Sequence, residues 1–194
     1  SGKRTTAIAA TVPIVPVRGI RENPDCAWGC SHLVSSRDRV PRGAMRVVIA
    51  DDATVVREGI ASLLTSRGVD VAGQAADATG LLRLLRRHLV DVAIIDIRMP
   101  PTHTDEGLRA AEQVRQEFPD VGVMVFSQYV EPTLALRLLS GSERATGYLL
   151  KERVTDAASF VADLRRVAAG ETVVDPTLVG ELVASSARRA NTDP

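Results

Sequence analysis

Short apolar segments alternate with segments of helical periodicity through residues 45–170 of this chain. The strand-like segments are rich in Val, Ile and Leu and cover residues 46–50, 69–75, 92–97, 121–126 and 147–150. Short, almost uniformly apolar strands are typical of parallel sheets that are buried on both faces. The alternation therefore predicts an α/β fold, a doubly wound five-stranded parallel sheet with a helix after each strand.

The segments between the strands carry apolar residues at the spacing of one helix face. Gly68, Pro119 and Gly170 are placed to end the first, third and fifth helices, and Pro132 is placed in the first turn of the fourth. The fourth helix is predicted over residues 132–139 and the fifth over 156–168.

Residues 1–44 differ from the rest of the chain in composition, with four of the ten prolines and both cysteines. No helical or strand period is sustained there, so we predict a poorly structured N-terminal extension ahead of a domain over residues 45–170. Cys26, Cys30 and His32 supply three potential zinc ligands where a structural site needs four, so we expect no metal site in this segment.

The charge balance excludes some classes of partner. Lys plus Arg and Asp plus Glu both number 24, so no net field attracts nucleic acid or an anionic membrane. No apolar run approaches the ~20 residues of a membrane-spanning helix, and the predicted domain contains no cysteine. We therefore expect a cytoplasmic protein without a membrane partner.

Polar residues follow the predicted strands at one end of the sheet. They are Asp51 and Asp52 after the first strand, Asp96 in the third, Ser127 after the fourth and Lys151 after the fifth. Ligands of open parallel sheets bind outside the carboxyl ends of the strands. If the first, third, fourth and fifth strands are neighbours, three carboxylates, a hydroxyl and an ammonium group meet at one edge.

These groups suit phosphoryl chemistry with a divalent cation. Clustered carboxylates raise one another's pKa unless a cation neutralises them, and oxygen ligands suit Mg²⁺. Lys151 and Ser127 supply the positive charge and the donor that a phosphoryl group needs, and Asp96 is the candidate nucleophile. Any one of these residues could be an ordinary solvent-facing strand end, but the five together favour a site.

The chain resembles the receiver domain of two-component response regulators over residues 45–170. The resemblance rests on the acidic pair Asp51 and Asp52, the segment IDIRMP at 95–100, Ser127, and the segment GYLLK at 147–151. It implies the flavodoxin-like fold with strand order 2-1-3-4-5.

The resemblance also implies the roles of the residues at the site. Asp96 would accept a phosphoryl group from a sensor histidine kinase, with Mg²⁺ held by Asp52, Asp96 and the backbone carbonyl of Arg98, and with Asp51 assisting. Lys151 would pair with the phosphoryl group, Ser127 would swing to bind it, and Tyr148 would follow inward as a switch. Such a domain catalyses only its own phosphorylation and dephosphorylation and is expected to form a phosphorylation-dependent homodimer.

The segments 98–107 and 150–152 resemble receivers of the LuxR or NarL type, whose effector is a C-terminal helix-turn-helix. Residues 171–194 are interpreted as a linker helix, opened by Pro176 and running through Val183, with a polar tail. A helix-turn-helix does not fit in this length, so we expect DNA binding only through a domain absent from this chain. The long loop after Asp96 could bring His103 and Asp105 over the site, although a loop histidine is more often simply solvated.

Two other functions are compatible with parts of the pattern. Haloacid-dehalogenase-like phosphatases also use a strand-end aspartate with Mg²⁺, but they need a second acid two residues later, and that position is Arg98. A phosphorylation-independent receiver that acts as a protein-interaction module is the remaining alternative, and the presence of all the phosphorylation residues argues against it.

Overall fold

The computed structural model describes residues 44–140 and 145–190, with side chains up to residue 184 in the last helix. Residues 1–43 of the predicted N-terminal extension, with Cys26, Cys30 and His32 among them, lie outside the described residues, as do residues 141–144 and the last four. The strands are β1 (Arg46–Ala50), β2 (Asp70–Ala75), β3 (Val92–Asp96), β4 (Gly122–Ser127), β5 (Thr146–Leu150) and β6 (Thr172–Val174). The helices are α1 (Thr54–Ser66), α2 (Ala78–Leu85), α3 (Glu106–Glu117), α4 (Pro132–Ser140), α5 (Ala157–Ala168) and α6 (Pro176–Ala190).

The strands of the described residues are all parallel and form one sheet in the order β2-β1-β3-β4-β5-β6. The predicted α/β fold and the order 2-1-3-4-5 are confirmed, and the sheet has one strand more than predicted. Strand β6 pairs with β5, with Val173 opposite Gly147. It has three residues, which is too short for a strand period to be recognised in the sequence.

Successive strand residues enter different halves of the core, because side chains alternate across a sheet. Val48 and Ala50 belong to the cluster formed with α2, α3 and α4, whereas Val47 and Ile49 belong to the cluster formed with α1 and α5. Burial on both faces explains why the strand segments are uniformly apolar in sequence.

Helix boundaries follow the signals in the sequence. Gly68 (φ 76°) and Gly170 (φ 91°) adopt the left-handed conformation just after α1 and α5. Asp77 caps α2 by accepting a hydrogen bond from the Gly80 amide at 2.7 Å. These signals fix where each helix begins or ends relative to the neighbouring strand.

Helix α6 lies against the main body of the domain. Leu178 is fully buried in the same cluster as Tyr148, Ala135 and Leu138, and Leu182 packs against that cluster. The helix extends beyond Val183, where the sequence pattern placed its end. Among the described residues, no helix has the length and apolar character to cross a membrane.

Candidate functional site

The sheet register places the chemistry-bearing residues side by side. Asp96 is the last residue of β3 and Ser127 the last of β4, while Asp51 and Lys151 directly follow β1 and β5. Because β1, β3, β4 and β5 are consecutive in the sheet, these four strand ends form one continuous edge.

Three carboxylates meet at this edge. Asp51, Asp52 and Asp96 each offer an oxygen within 4.8 Å of the other two. Asp51 and Asp96 are buried, with 2% and 6% of their surface exposed, whereas Asp52 is half-buried. The cluster therefore has a deep side, at Asp51 and Asp96, and an accessible side, at Asp52.

Lys151 bridges the two buried carboxylates. Its Nζ lies 2.8 Å from Asp51 Oδ2 and 3.0 Å from Asp96 Oδ2. Asp51 is held in turn through its other oxygen, which accepts a hydrogen bond from the Ala53 amide at 2.9 Å. One ammonium group thus fixes the orientation of both carboxylates.

Burial and charge oppose each other in the protonation of this pair. Burial raises the pKa of Asp96 above its ordinary value, and the charge and hydrogen bond of Lys151 only partly offset that effect. Burial by itself would lower the pKa of Lys151, but the hydrogen bond that Lys151 donates to Asp51 and the charge of Asp96 outweigh this effect and raise the pKa. The ammonium group therefore stays charged, while Asp96 is a less acidic, more basic carboxylate than a solvated one.

A cleft of about 700 Å³ opens onto Asp96. Asp52, Arg98, Ser127 and Lys151 line it together with Asp96, so the accessible carboxylate of Asp52, the buried carboxylate of Asp96 and the ammonium group face the same space. The Arg98 guanidinium pairs with Glu131 at 3.0 Å. Position 98 thus carries a cation bound to a neighbouring loop, where the phosphatase alternative would need a free acid.

Ser127 and Tyr148 belong to one hydrogen-bond cluster. The Ser127 hydroxyl donates to the Tyr129 carbonyl at 2.6 Å, and the Tyr148 hydroxyl donates to the same carbonyl at 3.2 Å. The amide of Glu131 donates to the Tyr148 hydroxyl at 3.3 Å. Tyr148 is fully buried, and burial raises its pKa. The resemblance implies that Tyr148 moves inward on phosphorylation. In this structure the Tyr148 side chain already lies inside the core.

The loop between β3 and α3 places one of its two candidate residues over the site. His103 has a positive φ of 55°, and its Nδ1 lies 3.3 Å from Asp52 Oδ2. Asp105 turns away and pairs with Arg109 and Arg137. Of these two loop residues, only His103 contacts the accessible carboxylate of Asp52.

Two polar contacts near the site were not predicted from the sequence. Arg57, on α1, donates a hydrogen bond to the carbonyl of Asp51, and no sequence signal marks that contact. Asp175, before α6, is fully buried and accepts hydrogen bonds from Leu150 and Arg153. The Asp–Pro pair at 175–176 is a helix N-cap signal that would have pointed to Asp175.

Comparison with known proteins agrees with this geometry. The response regulator receiver domain family matches residues 47–159. A probable transcriptional regulatory protein NarL of Mycobacterium tuberculosis is 36% identical over 148 residues, which are 75% of this chain and 65% of that protein. The oxygen regulatory protein NreC of Staphylococcus carnosus is 32% identical over 152 residues, 76% of this chain and 67% of that protein.

Solved structures with similar folds are receiver domains. The signal receiver domain of the M. tuberculosis putative response regulator NarL has 36% identity and a TM-score of 0.53, covering 62% of this chain and 94% of that one. The isolated receiver domain of RcsB from Salmonella enterica, solved with a phosphomimetic BeF₃⁻, has 27% identity and a TM-score of 0.59, covering 70% and 96%. With its strand-end aspartates and lysine in place on the matching fold, this chain belongs to the response regulator receiver family of two-component systems.

Proposed function

We propose that this chain is a phosphoacceptor receiver in which Asp96 takes a phosphoryl group from a histidine kinase. The observation that carries the proposal is the position of Lys151 Nζ, which contacts both Asp96 and Asp51, while Lys151 and Asp96 line an open cleft. A buried nucleophile beside a fixed cation is what transfer of a dianionic group requires.

The acidic cluster fits Mg²⁺. Asp51, Asp52 and Asp96 supply only carboxylate oxygens within 4.8 Å of one another, the donor type that Mg²⁺ prefers. Arg98 also lines the cleft, and we assign its backbone carbonyl as a further ligand. When bound, the cation would neutralise charge on the phosphoryl oxygens as the group is transferred.

The protein's own residues carry the transfer. A carboxylate oxygen of Asp96 attacks phosphorus, a P–O bond forms, and the P–N bond of the donor phosphohistidine breaks. The leaving imidazole nitrogen keeps the electron pair and takes a proton from solvent. Lys151 moves its charge from the two carboxylates to the incoming phosphoryl oxygens, so its ion pairing is retained throughout.

The switch begins at Ser127. Its hydroxyl now donates to the Tyr129 carbonyl, and a phosphoryl group on Asp96 offers a stronger, charged acceptor. When Ser127 turns toward the phosphoryl group, Tyr148 keeps its own bond to the same carbonyl, so the segment 129–131 rearranges around a buried tyrosine. The new dianion thereby shifts the population between two arrangements of the loop after β4.

The output of the intact regulator is part of the same proposal. This chain spans 65% of the length of the NarL relative, which is named a transcriptional regulatory protein. We infer that phosphorylation promotes a homodimer and controls a DNA-binding effector outside this chain. The chain itself would be cytoplasmic and would turn over no substrate besides its own phosphoryl group.

The test is phosphorylation by a small-molecule donor. The chain is incubated with Mg²⁺ and acetyl phosphate or phosphoramidate and weighed by intact mass spectrometry, beside Asp96→Asn and the control Asp70→Asn. We expect an adduct of about 80 Da in the parent and in Asp70→Asn but not in Asp96→Asn. Absence of the adduct from the folded parent would contradict the proposal and favour a phosphorylation-independent interaction module.

A further inference from the structure

Asp175 is a fully buried carboxylate at the start of α6 with four hydrogen-bond donors around it. Its Oδ2 accepts from the Leu150 amide at 3.2 Å and from Arg153 Nε at 3.0 Å. Its Oδ1 accepts from Arg153 Nη2 at 3.2 Å and from the Thr177 amide at 2.9 Å. Every one of these donors belongs either to β5 and the turn after it or to the first turn of α6.

One set of bonds leads toward the acceptor site. Leu150 directly precedes Lys151, whose Nζ contacts Asp96. Arg153 belongs to the short 3₁₀ helix Lys151–Thr155, which begins at Lys151. The carboxylate of Asp175 therefore holds the chain on both sides of Lys151, at the amide before it and at the guanidinium two residues after it.

The other set leads toward α6. The Thr177 bond makes Asp175 the N-cap of this helix, and the Asp175 carbonyl accepts from the Val179 amide at 3.2 Å. The Asp175 amide donates to the Tyr148 carbonyl at 2.9 Å. One residue thus ties the first turn of α6 to Tyr148 and, through Leu150, to Lys151.

The carboxylate stays ionised in this position. Burial alone would raise the pKa of Asp175, but the hydrogen bonds from Arg153, Thr177 and Leu150 outweigh it and lower the pKa. An ionised carboxylate at 0% exposure cannot lose its partners without a large penalty, so its donors move together.

We propose that Asp175 is a positioning residue that couples the acceptor site to helix α6. A displacement of Lys151 toward a phosphoryl group shifts Leu150 and Arg153, Asp175 follows its donors, and the first turn of α6 follows Asp175. The packing of Leu178, on α6, in the core then depends on whether a phosphoryl group occupies the site at Asp96. This inference rests on the proposed function in one respect, which is that a phosphoryl group is the ligand that displaces Lys151.

The experiment is a double-mutant cycle on the full chain. Amide hydrogen exchange of α6 is measured in the parent, Lys151→Ala, Asp175→Asn and the double variant. Asp70→Asn is the matched control, since it removes another Arg–Asp pair, Arg46–Asp70 at 2.7 Å, at the opposite end of the sheet. We expect Lys151→Ala to speed α6 exchange about fivefold or more in the parent and to add nothing once Asp175 is changed.

A second arm uses beryllofluoride with Mg²⁺ as the probe. We expect it to change α6 exchange in the parent and in Asp70→Asn, and to bind Asp175→Asn without that response. Independent, additive effects of Lys151→Ala and Asp175→Asn would overturn the coupling, because a purely structural N-cap gives additive effects. If the parent does not bind beryllofluoride, the proposed function fails, while the Lys151 cycle still decides the coupling.

If Asp175→Asn does not fold, Arg153→Gln replaces it in the same cycle. Arg153 is 44% exposed, so its loss leaves Asp175 with two backbone donors in an intact core. The same non-additivity with Lys151→Ala is expected, and additivity again overturns the proposal.

Discussion

The backbone of Gly107 lies directly against the main-chain carbonyl of Asp96. A Cβ placed on Gly107 would come within 1.7 Å of that oxygen and 2.7 Å of its carbon, and the Gly107 amide donates to the Ile97 carbonyl at 2.9 Å. The first turn of α3 is therefore packed on the backbone of the proposed acceptor, and the shape of the site depends on the absence of a side chain at this position.

Replacing Gly107 with alanine is expected to destabilise the domain and to slow phosphorylation of Asp96. The contact is with backbone, which cannot swing aside as a side chain can, so we expect a loss of about 1–3 kcal/mol in the free energy of unfolding. Chemical denaturation and the adduct assay measure the two effects. Gly180→Ala is the control, because its Cβ would meet nothing within 4 Å on α6. Equal stability of the Gly107 variant and the parent would contradict this account.

Mg²⁺ is expected to stabilise the parent against unfolding. A ligand that binds the native state alone adds about 1 kcal/mol at five times its Kd. Asp52→Asn removes the accessible carboxylate of the cluster and should abolish the response, whereas Asp70→Asn should keep it. Thermal or urea denaturation with and without Mg²⁺ measures this stabilisation in the parent and in both variants. A response that survives in Asp52→Asn would exclude Asp52 from the ligand set.

Glu106 is expected to make part of the stability depend on acid pH. The hydroxyl of Thr102, despite the opposing effect of burial, and the amides of Thr104 and Thr102 lower the pKa of Glu106 from 4.5 to about 2. Since the folded-state pKa of Glu106 is depressed, its ionised carboxylate contributes to the free energy of unfolding above pH 4.5. That contribution is lost as the pH falls toward about 2. Urea denaturation at pH 5.5 and pH 3 should show the stability gap between parent and Glu106→Gln narrowing at the lower pH. Glu58→Gln, at an exposed position on α1, serves as the control. If the stability difference between the parent and Glu106→Gln does not change with pH, the depressed pKa of Glu106 is refuted.

The two tyrosines should respond differently to loss of their hydroxyl groups. Tyr148→Phe removes the bonds to the Tyr129 carbonyl and the Glu131 amide inside the core, at a cost of about 1 kcal/mol. Tyr129 is 61% exposed, so Tyr129→Phe should leave stability unchanged. Denaturation curves compare the pair, and equal midpoints for both variants would show that the Tyr148 hydroxyl contributes nothing to the loop.

The candidate site was predictable because its residues occupy strand ends. A buried parallel strand is recognisable as an apolar run, and a polar residue at its carboxyl end has no packing reason to be there. Asp51, Asp96, Ser127 and Lys151 can each be located in this way from the sequence alone. The fold follows from the same signal, except that β6 is too short to have a period.

What the sequence determined by itself is the set of local features: which segments are strands or helices, where glycine and proline end them, and which polar residues stand at strand ends. The tertiary structure alone decided the pairings between distant segments. Three contacts join residues far apart in the chain: Lys151 with Asp51, His103 with Asp52, and Asp175 with Leu150. The full burial of Tyr148 likewise depends on elements distant from it in sequence. Periodicity reports only a residue's own element, whereas these contacts depend on how strands are ordered and how helices pack across them, which is set by the burial of the whole chain at once.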